Sequence, residues 1–351
     1  MTETKARIAI LGASGYTGAE LVRLLARHPR VSIVALTADR KAGQSMAEVF
    51  PQFAPLTLPP LVTIDEVDWT GVDLAFCALP HGTTQQVIKR TLDANPQLKI
   101  VDLSADFRLR DPGAYEEWYG HAHQALELQQ EAVYGIVELY REDVRKARLV
   151  ANPGCYTTTA ILPVVPLIEA GAIDPSVIVV DAKSGVTGAG RSAKESLLYT
   201  EVTDGMHAYG VGSHRHTAEL DQEYSKAAGR SVVPSFTPHL IPMSRGIYAT
   251  IYVNTAPGVD AAGVHRVLAD FYASEAFVHV LPLGQVPQSR FVKGSNMCFI
   301  GVAKDRVPGR VIVISTTDNL VKGASGQAVQ NMNVMLSYPE TLGLEQIALF
   351  P

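Results

Sequence analysis

Cys155 stands in "ANPGCYTTTA" (151–160), behind a Pro153–Gly154 turn and ahead of a run of threonines. "RLVA" (148–151) reads as a strand and "TTTAILPVVPLIEAG" (157–171) as a helix interrupted by prolines. The cysteine therefore falls at or just before a helix N-terminus, where the macrodipole and the amides of a first turn stabilise a thiolate. Such a thiolate is a nucleophile at neutral pH, and the same amides can hold a developing oxyanion. The competing reading is an inert, buried structural thiol. A nucleophile needs a base or cation beside it, and "GSHRHTAEL" (212–220) offers His214 and His216. In an extended segment those two rings face the same way and line one cleft. The alternative is two surface histidines ahead of a helix. Cys77 and Cys298 lie inside apolar strand patterns and read as core.

A second constellation is "GASGYTG" (12–18), with Gly12, Gly15 and Gly18 three apart. It lies between an apolar strand, "RIAIL" (7–11), and a helix, "AELVRLLARH" (19–28). In that context glycines allow a tight turn, a close approach to a pyrophosphate and close helix packing, and the helix N-terminus faces the phosphates. Ser14, Tyr16 and Thr17 complete the cofactor loop. The second strand, "VSIVALT" (31–37), ends on Thr37, with Asp39, Arg40 and Lys41 beyond it. A hydroxyl and two cations suit the 2′-phosphate of NADP better than the carboxylate of an NAD site would. His81, in "ALPHGTT", ends another strand at the edge where ligands bind in parallel sheets.

Anion-binding side chains follow. Arg108 closes "SADFR"; Lys183, Ser184, Gly185 and Arg191 lie in "KSGVTGAGR"; Arg245 lies in "MSRG". Each alone reads as a solvated loop. Together with a cysteine and a dinucleotide they fit a small, doubly anionic substrate.

These residues need a scaffold. Up to about residue 150, apolar strand runs alternate with helical periodicity, including "VDLAFCALP" (72–80), "TTQQVIKRTLDA" (83–94) and "KIVDLS" (99–104). Such alternation predicts a doubly wound parallel sheet of Rossmann type over 1–150. From 151 to 318 the strands lengthen and helices thin out, which predicts an α+β domain with a mainly antiparallel sheet, including a hairpin around Pro308–Gly309. "NLVKGASGQAVQNMNVMLSY" (319–338) reads as one final helix. With 351 residues, 47% hydrophobic and 19% charged, the chain has ample core material for two domains. A net charge of −5 argues against nucleic-acid or membrane-surface partners. Three scattered cysteines fit neither a disulfide framework nor a metal site, and point to a reducing compartment. With no signal-like N-terminus and no membrane-length apolar run, the cytoplasm is the expected location.

The motifs "GASGYTGAELVRLL", "ALPHG", "SADFRL", "YGIVEL", "NPGCYTT", "SGVTGAGR", "HRHTAE", "PHLIPMSRGI" and "DNLVKGASGQAVQNMN" run in order along nearly the whole chain. In these it resembles the N-acetyl-γ-glutamyl-phosphate reductases of the aspartate-semialdehyde-dehydrogenase-like group. The resemblance implies a second domain like that of glyceraldehyde-phosphate dehydrogenase, and an NADPH-dependent step of arginine biosynthesis. In that chemistry Cys155 attacks an acyl phosphate, phosphate leaves, and hydride reduces the thioester to a semialdehyde. The resemblance further implies His216 as acid/base and His214 in the substrate pocket. Arg108, Arg245 and the Ser184–Gly185 turn become anion contacts. It places Asn319 near the nicotinamide, with a segment 319–351 returning to the first domain, and implies a homodimer or homotetramer. Other acyl phosphates, aspartyl or carrier-bound, remain rival substrates, and a non-catalytic NADP sensor is the rival class. Thr157 stands where the family usually carries proline.

Overall fold

The computed structural model describes residues 5–349. The chain divides into two compact units, the first made by the described residues up to Pro153 together with Ala324–Glu345. The first sheet comprises β1 (Ala6–Leu11), β2 (Val31–Thr37), β3 (Leu61–Val62), β4 (Leu74–Cys77), β5 (Lys99–Asp102), β6 (Val133–Tyr134) and β7 (Leu149–Ala151). Their order is β3-β2-β1-β4-β5-β7-β6, and every pairing is parallel. The chain winds outward both ways from the β1–β4 pair, which makes the carboxyl ends of those strands the switch point for a ligand. The glycine loop follows β1 and the His81 loop follows β4.

Helices of this unit are α1 (Tyr16–Leu25), α2 (Met46–Val49), α3 (Thr84–Ala94), α4 (Pro112–Tyr119), α5 (Leu126–Glu131) and α6 (Val137–Lys146). The short elements between 105 and 147 have no counterpart in the sequence reading. One buried carboxylate anchors the first of them. Asp106 accepts from Gly82 N at 2.8 Å, Thr84 Oγ1 at 2.6 Å and Tyr115 OH at 3.2 Å. It thereby ties the loop after β4 and the start of α3 to α4.

The second unit holds Gly154–Gly323 and the described residues from Gln346 onward. Its helices are α7 (Cys155–Glu169), α8 (Tyr199–Val202), α9 (His216–Ala228) and α10 (Ala261–Phe271). Its strands are β8 (Ile173–Gly185), β9 (His207–Ala208), β10 (Ser235–Ile241), β11 (Ile247–Thr255), β12 (Val278–Val280), β13 (Cys298–Lys304) and β14 (Arg310–Thr317). The order β12-β13-β14-β11-β8-β10-β9 is mostly antiparallel, with β8–β10 and β12–β13 the parallel pairs. The sequence over 258–277 has helical periodicity, but α10 covers only Ala261–Phe271, because the following residues lead into β12 at the sheet edge.

Helix α7 is apolar on all sides and buried from Tyr156 to Ile168. Pro163 and Pro166 lie inside it. A proline withdraws the amide that the carbonyl four residues earlier expects. For Pro166 that carbonyl belongs to Leu162, and the Tyr272 hydroxyl donates to it at 2.5 Å. The helix that begins at Cys155 thus keeps its line through two prolines.

The final segment is not one helix over 319–338. A wide turn, Val321–Ser325, precedes α11 (Gly326–Met335). Asp318 explains the turn, since its carbonyl accepts both Val321 N and Gly323 N. Ser337, at φ +56°, closes the far end. Within the first unit, Ser325 Oγ donates to Thr17 O at 2.9 Å, and Asn331 Nδ2 donates to Gly135 O at 2.9 Å. Asn319 itself belongs to the second unit.

Tyr272→Phe leaves the Leu162 carbonyl without this donor in an apolar core. We expect a loss of about 1–2 kcal/mol, read as a thermal midpoint lower by roughly 2–4 °C; an unchanged melt would contradict this role.

Candidate active site

Gly12 has φ +77°, and a Cβ there would overlap the Ala78 carbonyl. Only glycine makes this turn. Helix α1 starts at Gly15 with no side-chain cap and no acidic residue in its first turn. Its amides are thus left for an anion. Ser14, Gly15, Tyr16 and Thr17 are half-buried around this turn, and Gly18 packs beneath it. Thr37 ends β2, at the tip of the second strand. It is buried, and its hydroxyl accepts from Gly12 N at 3.2 Å, so it braces the turn from below. Asp39, Arg40 and Lys41 are exposed just beyond. His81 is exposed, and its Nδ1 accepts from Ala105 N at 2.9 Å, which leaves the neutral ring's proton on Nε2.

Arg108 is buried in the first unit. Its Nε donates to Asn152 O at 2.8 Å and its Nη2 to Leu103 O at 3.0 Å. Burial raises the nearby Asp102 carboxyl to about 7, against the pull of Ser104 hydrogen bonds and Arg108.

In the second unit, Cys155 is the first residue of α7, half-buried, with Gly154 as N-cap. His216 is the first residue of α9. A Cβ at Gly154 would overlap His216 Nε2, so this glycine is what lets the imidazole edge reach the residue before the thiol. Glu219, one turn along α9 from His216, is fully buried, and its Oε2 accepts from Gly154 N at 3.1 Å. A carboxylate at the first turn of α7 is favoured by the helix dipole. Sequence reasoning missed Glu219. The signal was its i+3 spacing from His216, which puts both on one helix face.

The segment His214–His216 is not extended. Thr217 N already bonds His214 O, and Arg215 is in the helical region. The rings meet all the same, with centroids 4.7 Å apart, because the first turn of α9 folds His214 back over His216. His214 Nδ1 accepts from His216 N at 3.2 Å, leaving Nε2–H as the donor of the neutral ring. Tyr156, Tyr209 and Phe236 surround it edge-on. Burial lowers its pKa to about 4, with Glu219 pulling the other way. Tyr209 OH donates to Tyr156 OH at 3.1 Å, and Tyr156 OH to His239 O at 3.0 Å. Burial pushes the Tyr209 phenol up to about 12, and Tyr156 higher still. Both therefore stay protonated beside the thiol.

Ser184 and Gly185 end β8, both buried. Gly185 N donates to Gly246 O at 2.9 Å, and its Cα lies against the Arg245 backbone. Asn319 joins these loops: its Oδ1 accepts from Gly246 N at 2.8 Å and its Nδ2 donates to Thr187 Oγ1 at 2.9 Å. Arg245 Nη1 lies 3.6 Å from Asp318 Oδ2, so a buried carboxylate aims it. Lys183 alternates with Ser184 to the other face of the sheet, where it pairs with Asp181 at 2.6 Å. Arg191 is exposed in its loop.

A parallel nucleotide-type sheet and a separate mixed sheet carrying a helix-terminal cysteine define the semialdehyde dehydrogenase class. Residues 7–147 match the semialdehyde dehydrogenase NAD binding domain, and residues 155–319 match the semialdehyde dehydrogenase dimerisation domain. The chain is 67% identical to the N-acetyl-γ-glutamyl-phosphate reductase of Afipia carboxidovorans, over 98% of this chain and 99% of that one. It is 61% identical to that of Rhodospirillum rubrum, over 99% of both. The crystal structure of aspartate semialdehyde dehydrogenase II from Vibrio cholerae shares the fold, with TM-score 0.73 at 18% identity, over 95% of this chain and 99% of that one. The chain belongs to the N-acetyl-γ-glutamyl-phosphate reductase family.

An unfolded histidine titrates near 6.5, so between that pH and about 4 the unfolded chain binds a proton that buried His214 refuses. Stability therefore falls as pH drops through this window. An NMR titration should show His214 neutral down to pH about 5; a midpoint near 6.5 would contradict its burial.

Proposed function

We propose that this chain reduces N-acetyl-glutamyl 5-phosphate to N-acetyl-glutamate 5-semialdehyde with release of phosphate, in arginine biosynthesis. The observation that carries the reading is Cys155 at the start of α7 with the His216 edge on Gly154. The Cys155 sulfur attacks the acyl carbon, the carbon–oxygen bond to phosphate breaks, and a thioester remains on the enzyme. His216 moves the proton, first off the thiol and later onto the product side. His214, neutral with Nε2–H outward, donates a hydrogen bond to substrate. The first-turn amides of α7 stabilise the oxyanion. Ser184, Gly185 and Arg245 take the substrate's anionic groups, with Asn319 setting the loops that carry them. Arg108, held by two carbonyls, serves as a further anion contact.

The Gly12 turn and the open start of α1 fit a dinucleotide, since a side chain at Gly12 would fill the cradle. Bound NADPH supplies the hydride that reduces the thioester. Arg40, with Lys41, pairs with the 2′-phosphate, and His81 flanks the cofactor from the β4 loop. Three free thiols suit a reducing compartment such as the cytoplasm.

The open face of the second sheet is the proposed subunit interface. Val179, Tyr252 and Ile312 lie in cross-strand register there, and Val177 is 48% exposed beside them. A homodimer, or a homotetramer built from it, covers this face. Tyr252→Asp should shift the species seen by light scattering to the monomer; an unchanged mass would place the interface elsewhere.

The reaction is tested in reverse. N-acetylglutamate semialdehyde should reduce NADP⁺ only when inorganic phosphate is present, and aspartate semialdehyde should not. Cys155→Ser should abolish turnover, by at least about 10³-fold, and leave NADP⁺ affinity unchanged. Activity with aspartate semialdehyde alone would overturn the substrate assignment.

A further inference from the structure

We propose that Thr157 is a positioning residue, whose hydroxyl fixes the Glu219 carboxylate under the first turn of α7 and through it sets His216 against Cys155. The inference rests on the reading of Cys155 and His216 above. Thr157 and Glu219 are both fully buried. Thr157 Oγ1 lies 2.7 Å from Gly154 O and 3.1 Å from Glu219 Oε2. The same Glu219 oxygen takes Gly154 N at 3.1 Å. The single hydroxyl proton is shared between the Gly154 carbonyl and the Glu219 carboxylate, so the hydroxyl and the Gly154 amide touch one carboxylate oxygen from two sides, and both belong to the turn that carries the thiol.

Glu219 has no freedom to tilt without breaking one of these bonds. His216 sits three residues before it on α9, on the same face. Its Nε2 edge is in contact with Gly154, so a small rotation of α9 would carry the imidazole off the thiol side or into the backbone. A short hydroxyl at this position thus registers α9 on α7. Proline, usual here in the family, would cost no intrahelical bond, since the first such amide is Thr158 N to Gly154 O at 2.9 Å. It would, however, remove the second donor to Glu219. Position 157 can therefore be changed without breaking the helix.

The test compares Thr157→Ser, Thr157→Val and Thr157→Pro in the full chain, with two readouts. The first is the phosphate-dependent reverse reaction. Thr157→Val and Thr157→Pro should lower kcat about tenfold with KM changed less than about twofold, and Thr157→Ser should stay within about twofold of the parent. The second is the rate at which iodoacetamide alkylates Cys155 at pH 7 without substrate, expected to fall roughly threefold in the same two variants and to hold in Thr157→Ser. In a Glu219→Gln background the Thr157→Val change should add nothing to either readout. Full kcat and full alkylation rate in Thr157→Pro, or equal losses in Thr157→Ser, would overturn the proposal. The alkylation arm needs no substrate. If the parent chain fails with the acetylated semialdehyde, the proposed function falls and the Thr157 link is still decided.

Discussion

The arrangement in the second unit depends on one buried carboxylate at a helix start. Glu219 sits under the first turn of α7, where the dipole and the Gly154 amide welcome a negative charge. That seat joins α7 to α9. It brings a cysteine and a histidine that are 61 residues apart in sequence to the same glycine. The glycine is the third element of the constraint, because any side chain on it would occupy the place of His216 Nε2. A charge, a helix terminus and a missing Cβ together bring the imidazole edge to the residue before the thiol.

The rest of the unit serves to hold that helix start still. Helix α7 is apolar all round and buried, so nothing on it needs water. Its two prolines would weaken it; Tyr272 offsets the loss at Pro166 by donating to Leu162 O, and Tyr224 ties the helix further by donating to Ala160 O at 3.0 Å. The loops at 187 and 246 are tied separately. Asn319 bonds the 246 and 187 loops, and Asp318 aims Arg245. Burial within the aromatic box keeps His214 neutral against the opposing pull of the Glu219 charge.

Local pattern made part of this legible. The strand–glycine–helix order around Gly12, and Cys155 at a helix start after Pro153–Gly154, follow from turn and capping chemistry that acts over a few residues. The parallel character of the first sheet and the mainly antiparallel second one follow from the spacing of apolar runs. What the pattern did not carry are contacts made at long range. Glu219 gains its meaning only when α9 docks on α7, 65 residues from Gly154. The sequence pattern places Thr37 at a strand end but does not show that its hydroxyl takes the Gly12 amide, a contact across 25 residues. His214 and His216 were read as extended neighbours, and a helix start brought their rings together by a different route. The elements between 105 and 147 are short, and the tertiary seat of Asp106 rather than periodicity fixes the loops around them.

The proposed reaction requires that Cys155 become covalently acylated. The direct measurement is intact-protein mass spectrometry after mixing the enzyme with N-acetyl-glutamyl phosphate in the absence of NADPH. One N-acetylglutamyl group per chain is expected, mapped to the peptide holding Cys155 and discharged on adding NADPH. An unmodified protein that still turns over with NADPH, or an acyl group on any other residue, would contradict it.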